Sequence, residues 1–201
     1  YYALDVTNPD SPSLKWIITG GTTTGFSRLG QTWSTPQVTK IPGYKDDSGN
    51  YKPVLVFAGG YDTNKDAATI GTSDATGNAI YFVDADTGAL IFSVSPDATS
   101  ATNLSTTTML DSIPSDVTLF DSNGDGLTDR LYVGDTGGNL WRMDLPGTDK
   151  TKWSIFKLAS LGSDVTLADD RRFFGAPLIV RSINPKVTKL ADGTYKYTQQ
   201  P

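Results

Sequence analysis

The chain contains no cysteine and no histidine, and its 22 acidic residues are all aspartates because glutamate is also missing. Without histidine or cysteine it cannot build an ordinary zinc site, a Ser-His-Asp triad or a Cys-His pair. Without glutamate, only aspartate is left for the paired carboxylates of a glycosidase. We therefore predict that the protein is not an enzyme, and that any metal it binds is a hard, oxygen-preferring cation.

Basic residues are few, and they are spread thinly along the chain. The 17 lysines and arginines leave a net charge of −5, and the one adjacent basic pair is Arg171-Arg172. Nucleic acid binding needs a basic face, so we expect no nucleic acid partner. No apolar run is long enough to span a membrane, and no signal peptide is recognisable. The opening letters "YYALDV" are typical of the inside of a strand, as in a piece of a longer protein.

Threonine, glycine and aspartate are abundant instead, with 27 threonines and 20 glycines. These residues are poor helix formers, whereas threonine and the aromatic residues favour strands, so the composition predicts an all-β protein. Three segments resemble one another. They are "YYALDVTNPDSPSLKWII" from Tyr1, "AIYFVDADTGALIFSV" from Ala79 and "NLWRMDLPGTDKTKWSIFKL" from Asn139. Each reads as an apolar strand ending in aspartate, a polar turn and a second strand, with Asp5, Asp84 and Asp144 in equivalent positions.

A further pair of predicted strands precedes the second and the third of these hairpins. Four short strands per repeated unit, with glycine-rich turns, indicate the blades of an antiparallel β-propeller. Strands are expected at Pro36–Ile41, Val54–Ala58, Ala79–Asp84, Leu90–Val94, Val117–Asp121, Arg130–Gly134, Leu140–Asp144 and Trp153–Leu158. A jelly roll or a sandwich is the alternative.

The predicted propeller is partial, with two full blades and two half blades. The full blades lie near 32–95 and 114–160, and the half blades lie at 1–31 and 173–201. Residues 62–77 and 97–113 are insertions rich in Ser, Thr and Ala, which we expect to form surface loops or short helical turns. Two blades and two halves cannot close a ring and would leave strand edges open, so a longer parent protein is expected.

The stretch "DSNGDGLTD", residues 121–129, has the spacing of the first nine positions of a calcium loop. Asp121, Asn123 and Asp125 would each supply one side-chain oxygen, Leu127 its backbone carbonyl, and Asp129 would close the shell. Gly126 falls where such a loop turns sharply. Calcium accepts irregular oxygen shells, whereas magnesium needs a stricter octahedron, so calcium is the expected metal.

Two details complicate this interpretation. The twelfth position of a full loop, normally a bidentate glutamate, is Tyr132 inside a predicted strand, so Asp129 must close the shell. A polar turn between strands is the alternative without metal.

A weaker version of the pattern, "DTNKDAATI", places Asp62, Asn64 and Asp66 at the first three ligand positions but has Ala67 and Ile70 at the sixth and ninth. There an ordinary solvated loop is expected.

Three strings in the chain resemble the C-terminal propeller of the PilY/PilC family of type IV pilus tip proteins. They are "KPVLVFAGGYD", "GNAIYFVDADTGAL" and "DSNGDGLTDRLYVGDTGGNLWRMDL", and the last is the most specific because it joins the calcium loop to a strand, a glycine-rich turn and an aromatic-Arg-x-Asp strand. The resemblance runs from about Tyr1 to Arg181. It implies calcium in the loop, with Asp121, Asn123, Asp125, Leu127 and Asp129 as ligands.

The resemblance also implies a role at the bacterial cell surface. A protein of this family sits on minor pilins at the pilus tip or outer membrane, favours pilus extension over retraction, and supports twitching motility and adhesion to host or abiotic surfaces. No Arg-Gly-Asp tripeptide occurs in the chain, so integrin binding does not carry over.

Two alternatives stay open, a quinoprotein-like propeller enzyme and an integrin-type calcium propeller. The first lacks an evident set of cofactor-binding residues, and the second tends to repeat its loop in successive blades.

Overall fold

The described residues form two main β-sheets, each built from consecutive strands. A computed structural model of the chain describes residues 1–67, 72–163, 165–180 and 186–198. The first sheet contains β3 (Gln37–Thr39), β4 (Val54–Ala58), β5 (Ile80–Asp84), β6 (Leu90–Ser95) and β7 (Asn103–Ser105), in that order. The second contains β8 (Thr118–Phe120), β9 (Arg130–Gly134), β10 (Asn139–Asp144) and β11 (Ser154–Ser160), also in chain order.

Two hairpins complete the list of strands in these ranges. The first is β1 (Tyr2–Asp5) with β2 (Ser13–Ile17), and the second is β12 (Lys186–Lys189) with β13 (Tyr195–Thr198). The helical turns in the same ranges are short 3-10 segments at Thr63–Asp66, Lys150–Lys152 and Leu167–Asp169. No helix in this part of the chain has the length and apolar character needed to cross a membrane.

The prediction of an antiparallel, all-β fold is confirmed, and so are the eight predicted strands. All eight are present, and their ends differ from the predicted ends by at most two residues. Neighbouring strands within each sheet pair antiparallel, except that β7 lies parallel to β6. The alternation of short strands and glycine-rich turns therefore carried enough information to locate both sheets.

Sequence reasoning was less successful in the insertions. Residues 97–113, expected to form a surface loop or short helical turns, contribute β7 to the first sheet and bury Met109 and Ile113 completely. Of residues 62–77, 68–71 lie outside the described residues, and the rest contain a short helical turn and bury Lys65 and Asp74. In the half blade expected at 173–201, residues 173–180 belong to no strand, β12 and β13 form a separate hairpin, and 181–185 and 199–201 lie outside the described residues.

Two apolar clusters hold these elements together, one on each face of the first sheet. The larger cluster lies between the two sheets and contains Phe82, Trp141 and Trp153. The smaller one packs Phe26, Phe57 and Tyr81 between the first sheet and the N-terminal segment. Because β5 contributes to both clusters, all five of its residues are buried, whereas β10 alternates buried and half-buried residues as expected for a strand covered on one face.

The aspartates that end the three related hairpins do not all play one role. In two of them the carboxylate starts the turn, since Asp5 accepts from the backbone of Thr7 and Asp84 from Asp86 and Thr87. Asp84 is 2% exposed, and its other carboxylate oxygen accepts from the Lys52 ammonium and the Tyr44 hydroxyl. Asp144 instead pairs with Arg142, so the third hairpin turns without this device.

Candidate metal centre

The candidate calcium loop connects β8 to β9 in the second sheet. Its residues 122–126 are exposed, and its base is closed by a 3.2 Å hydrogen bond from the Asp129 amide to the Phe120 carbonyl. The loop is therefore the tip of a hairpin whose strands the sheet holds in register. All five predicted ligand residues lie in this one turn.

Asp121 organises the first half of the loop. One of its carboxylate oxygens accepts from the Gly124 amide at 2.7 Å and from Asp125 at 3.3 Å, and the other accepts from Gly126 at 2.8 Å. These backbone hydrogen bonds, the strongest from Gly126, hold the pKa of Asp121 below its ordinary value. The carboxylate is therefore ionised at neutral pH, as a calcium ligand must be.

Glycine is needed twice in this turn for its backbone conformation. Gly124 has φ +82° and Gly126 has φ +84°, the region that side-chain-bearing residues adopt only under strain. A Cβ atom added at either position would meet no other atom within 4 Å, so space is not the reason for glycine. The glycine at position six thus serves the sharp turn that the sequence pattern predicts.

The middle of the loop repeats the same kind of local hydrogen bond. The Asn123 side-chain oxygen accepts from the Asp125 amide at 2.9 Å, and the Asp125 carboxylate accepts from the Leu127 amide at 2.9 Å. The Asn123 side-chain amide also donates to Asp125 at 3.2 Å. Within the described residues the Leu127 carbonyl accepts no hydrogen bond, so this oxygen is free to act as the predicted backbone ligand.

Asp129 is held by a neighbour that the sequence pattern did not point to. The Ser122 amide donates to one of its carboxylate oxygens at 3.0 Å, and the Ser122 hydroxyl donates to the other at 2.7 Å. Position two of a calcium loop carries no ligand, so nothing in the spacing singled out Ser122. The residue expected to close the metal shell is therefore engaged by the chain itself.

The donor set fits calcium in its chemistry, although its side chains do not surround one point. Over the described residues, no group of three acidic side chains is placed to hold a metal ion. In the same ranges, no lysine or arginine forms an ion pair with Asp121, Asp125 or Asp129, so their charges are left without a basic partner. Carboxylate, amide and carbonyl oxygens are the ligands that calcium prefers. The ligand set remains a prediction.

Thr128 ties the loop to the other sheet. It is buried, its amide donates to the Lys40 carbonyl at 2.8 Å, and its hydroxyl lies 2.7 Å from that of Thr39 at the end of β3. The ligand pattern gives position eight no role, so sequence reasoning missed this anchor. A change in the conformation of the loop would therefore alter the contact between the two sheets at Thr128.

The weaker loop at 62–66 is built into the fold by ordinary hydrogen bonds. One oxygen of Asp62 caps the 3-10 turn through the Asn64 amide, and the other accepts from Ala75 and Thr76. Asp66 accepts from the Tyr61 hydroxyl at 2.7 Å. Its carboxylates therefore have partners within the chain, and this loop is less solvated than the sequence suggested.

The fold of the chain is similar to that of a solved structure. A crystal structure of the PilY1 C-terminal domain from Pseudomonas aeruginosa superimposes with a TM-score of 0.58 at 23% identity, over 98% of this chain and 37% of that one. This similarity shows that the two chains share an all-β fold. The family described as the PilY1 beta-propeller domain matches residues 1–188, and the chain belongs to this family.

Curated relatives carry the same family name. The chain is 27% identical over 167 residues to the type IV pilus biogenesis factor PilY1 homolog of Xylella fastidiosa, and 33% identical over 151 residues to PilY1 of Pseudomonas aeruginosa strain UCBPP-PA14. These alignments cover 83% and 74% of the chain. The chain spans 10% of the length of each of these two relatives.

Proposed function

We propose that the chain is a calcium-binding propeller module of a type IV pilus biogenesis factor. The observation that carries the proposal is the Asp121–Asp129 loop, which lies at the tip of a hairpin and carries three carboxylates that form no ion pair with a lysine or arginine among the described residues. Membership of the PilY1 propeller family and the names of the curated relatives support the pilus assignment. The module works at the bacterial surface, at the pilus tip or outer membrane, with minor pilins as partners.

Calcium would act here by balancing charge. The bound ion supplies two positive charges, which offset the repulsion among Asp121, Asp125 and Asp129. Asp121, Asn123, Asp125 and Asp129 would hold it through side-chain oxygens and Leu127 through its carbonyl. The loop is joined to Thr39 through Thr128, so ordering the loop also orders the contact between the two blades. The surface presented to the pilus then depends on calcium, and this is how calcium would influence pilus extension, twitching and adhesion.

We further propose that the module is a binding component rather than an enzyme. The sequence offers neither histidine, cysteine nor glutamate for acid-base or nucleophilic chemistry. The curated relatives are named as biogenesis factors, which supports the same interpretation. A turnover of polysaccharide, peptide or alcohol that disappeared on substitution of one aspartate would contradict it.

Calorimetric titration of chelator-treated protein with calcium tests the site. Asp129→Ala should weaken binding most, because it removes a charge and the closing ligand together. Leu127→Ala is the matched control, since only the carbonyl of residue 127 is used and the variant should bind like the wild type. Undiminished binding in Asp129→Ala would overturn the ligand assignment, and no binding in the wild type would overturn the site.

Cells carrying the complete parent protein test the role in pilus biogenesis. Asp129→Ala in that protein should alter surface piliation or twitching, while Leu127→Ala should not. Normal pili and motility in the Asp129→Ala strain, together with lost calcium binding by the purified variant, would leave calcium a structural role and remove the regulatory one.

A further inference from the structure

Asn123 and Gly124 lie at the exposed tip of the loop between β8 and β9. Asn123 is the one asparagine in the chain that is followed by glycine. A Cβ atom added at Gly124, which has φ +82°, would meet no other atom within 4 Å, so the backbone is open to solvent on that side. The backbone nitrogen that follows Asn123 is therefore shielded neither by a side chain of its own residue nor by a packed neighbour there.

This dipeptide places a nucleophile beside an amide that it can displace. The backbone nitrogen of residue 124 can close a five-membered ring on the side-chain Cγ of Asn123, and a reaction within one chain needs no second molecule to be brought into place. A side chain on the following residue obstructs that approach, whereas glycine carries none. Because Asn123 and Gly124 are both exposed, water can reach the ring once it has formed.

Hydrogen bonds within the loop polarise the groups that would react. The Asp125 amide donates to the Asn123 side-chain oxygen at 2.9 Å, so it stabilises the negative charge that develops on this oxygen as the ring closes. The Gly124 amide donates to the Asp121 carboxylate at 2.7 Å, which makes the attacking nitrogen more electron-rich. The Asn123 side-chain nitrogen, the leaving group, donates to the Asp125 carboxylate at 3.2 Å. The attacking, accepting and leaving groups are thus each bonded to a residue of the same loop.

We propose that Asn123-Gly124 is a site of spontaneous deamidation, with water as the co-reactant. The Gly124 nitrogen bonds to the Cγ of Asn123, and the bond from Cγ to the side-chain nitrogen breaks. That side-chain nitrogen takes up the proton lost by the Gly124 nitrogen and leaves as ammonia. Water then opens the cyclic imide at one of its two carbonyl carbons, which gives either aspartate or isoaspartate at position 123. In both products a hydroxyl group replaces the amino group of the amide, and nothing is oxidised or reduced.

The two products would differ in calcium binding, a consequence that rests on the proposed function. Calcium loops accept aspartate as well as asparagine at their third position, so the aspartate product keeps the ligand set and gains a negative charge. The isoaspartate product instead carries one extra carbon in the main chain between residues 123 and 124. This extra carbon moves Asp125 and Asp129 relative to Asp121 and should abolish binding. The loop therefore changes with age from one form into a form that binds calcium and a form that does not.

Mass spectrometry tests the proposal, on chelator-treated protein that is kept for days in warm, mildly alkaline buffer and then digested with pepsin. The peptide that contains Asn123 should gain one mass unit in a growing fraction of the molecules and should separate into two products. Asn50 is the internal control. It is also exposed, and its side-chain amide donates to the Asp46 carboxylate at 3.3 Å, but Tyr51 follows it. The peptide that contains Asn50 should keep its mass.

Asn123→Gln is the matched variant, because it keeps the amide but would have to close a six-membered ring, and it should show no mass gain over the same period. The proposal is overturned if the Asn123 peptide keeps its mass, or if Asn50 converts as fast as Asn123. Conversion in urea-unfolded protein but not in folded protein would also overturn it, because the fold would then prevent the attack.

A parallel incubation with calcium separates this proposal from the proposed function. If the Asn123 side-chain oxygen binds calcium, the metal should slow the mass gain. A mass gain at the same rate with and without calcium would remove Asn123 from the ligand set, and it would still support deamidation at this site.

Discussion

Ser122 holds both carboxylate oxygens of Asp129, through its amide at 3.0 Å and its hydroxyl at 2.7 Å. The predicted closing ligand thus accepts two hydrogen bonds from one neighbouring residue. Calcium bound as proposed would either share Asp129 with Ser122 or displace the Ser122 hydroxyl. The two possibilities differ in a measurable way.

Ser122→Ala should tighten calcium binding, because the hydroxyl no longer competes for Asp129. The loss of one such hydrogen bond corresponds to a dissociation constant roughly 3–10-fold lower. Calorimetric titration measures it, with Ser154→Ala as the control, since Ser154 is exposed on β11 and its side chain makes no hydrogen bond in the described structure. Weaker binding in Ser122→Ala would mean that the hydroxyl instead orients Asp129 towards the metal.

Gly126→Val should weaken calcium binding without removing a ligand. Gly126 has φ +84°, where a β-branched side chain costs about 1–2 kcal/mol or more. The variant should therefore lose about tenfold in calcium affinity and also unfold at lower denaturant without metal. Gly147→Ala serves as the control, because Gly147 has no positive φ and an added Cβ atom there meets nothing within 4 Å. Equal affinities for Gly126→Val and wild type would exclude a tight turn at this glycine in the bound loop.

Chelation should destabilise the protein, since calcium bound as proposed would hold the folded loop and not the unfolded chain. With a dissociation constant of about 10 μM and about 1 mM calcium, binding stabilises the fold by roughly 2.7 kcal/mol. Melting temperatures with calcium and with excess chelator measure the difference, which Asp129→Ala should reduce. An identical melting temperature in both buffers would argue against a site of this affinity.

Asp84 should make the free energy of unfolding depend on pH in the acidic range. Burial opposes its charge, but hydrogen bonds from Lys52 and Tyr44 outweigh burial and lower the pKa of Asp84 far below its ordinary value. A depressed folded-state pKa adds stability above the unfolded value of about 4, and this is lost as pH falls below about 4. Asp84→Asn should therefore cost about 3 kcal/mol at pH 7 and flatten the acid limb of the stability curve.

Denaturant unfolding between pH 7 and pH 2 measures the effect of Asp84→Asn. Asp86→Asn is the control, because its side chain is 59% exposed and its pairing with Lys15 is a surface contact, expected to contribute less than about 1 kcal/mol. If both variants kept the same pH slope as the wild type, the Lys52–Asp84 pair would contribute nothing to stability.

Lys65 should prove essential to the packing of the two insertions. Its ammonium is buried, lies 2.6 Å from Asp111 and 3.6 Å from Asp74, and so joins residues 62–77 to residues 97–113. Lys65→Met would leave two carboxylates without their counter-charge, which costs about 3–5 kcal/mol. Lys152→Met is the control because the Lys152 side chain is 74% exposed. Similar unfolding midpoints for the two variants would contradict this role.

The strands were predictable from the sequence because their own residues carry the signal. In β4 and β5, consecutive apolar residues are bounded by Pro53, by the Gly59-Gly60 pair and by Asp84, and the structure buries these strands between two cores. The turn at residues 121–129 was predictable in the same way, since its glycines are spaced along one short stretch, whereas calcium binding there stays a prediction. The local sequence was therefore sufficient to predict these elements.

The elements that sequence reasoning missed depend on distant partners. β7 has no hydrophobic run, and Asn103 holds it in place by accepting from Ser93 and Ser95 and donating to the Asp97 and Ala98 carbonyls. Thr128 gains its role from two distant residues, Lys40 and Thr39, the latter 89 residues away in the sequence. Such contacts between remote residues leave no periodic pattern to read.

The order of strands in the two sheets has a consequence for folding kinetics. Every strand of each sheet pairs with its neighbour in the chain, so each sheet can form from contacts between nearby residues. The bonds that join the sheets and insertions close far longer loops, spanning 89 residues for Thr39 with Thr128 and 107 for Arg172 with Lys65. Closing long loops is the slower and costlier step, so each sheet should form before the two dock. Pulsed hydrogen exchange during refolding should therefore protect the amides of β5 and β10 earlier than that of Thr128.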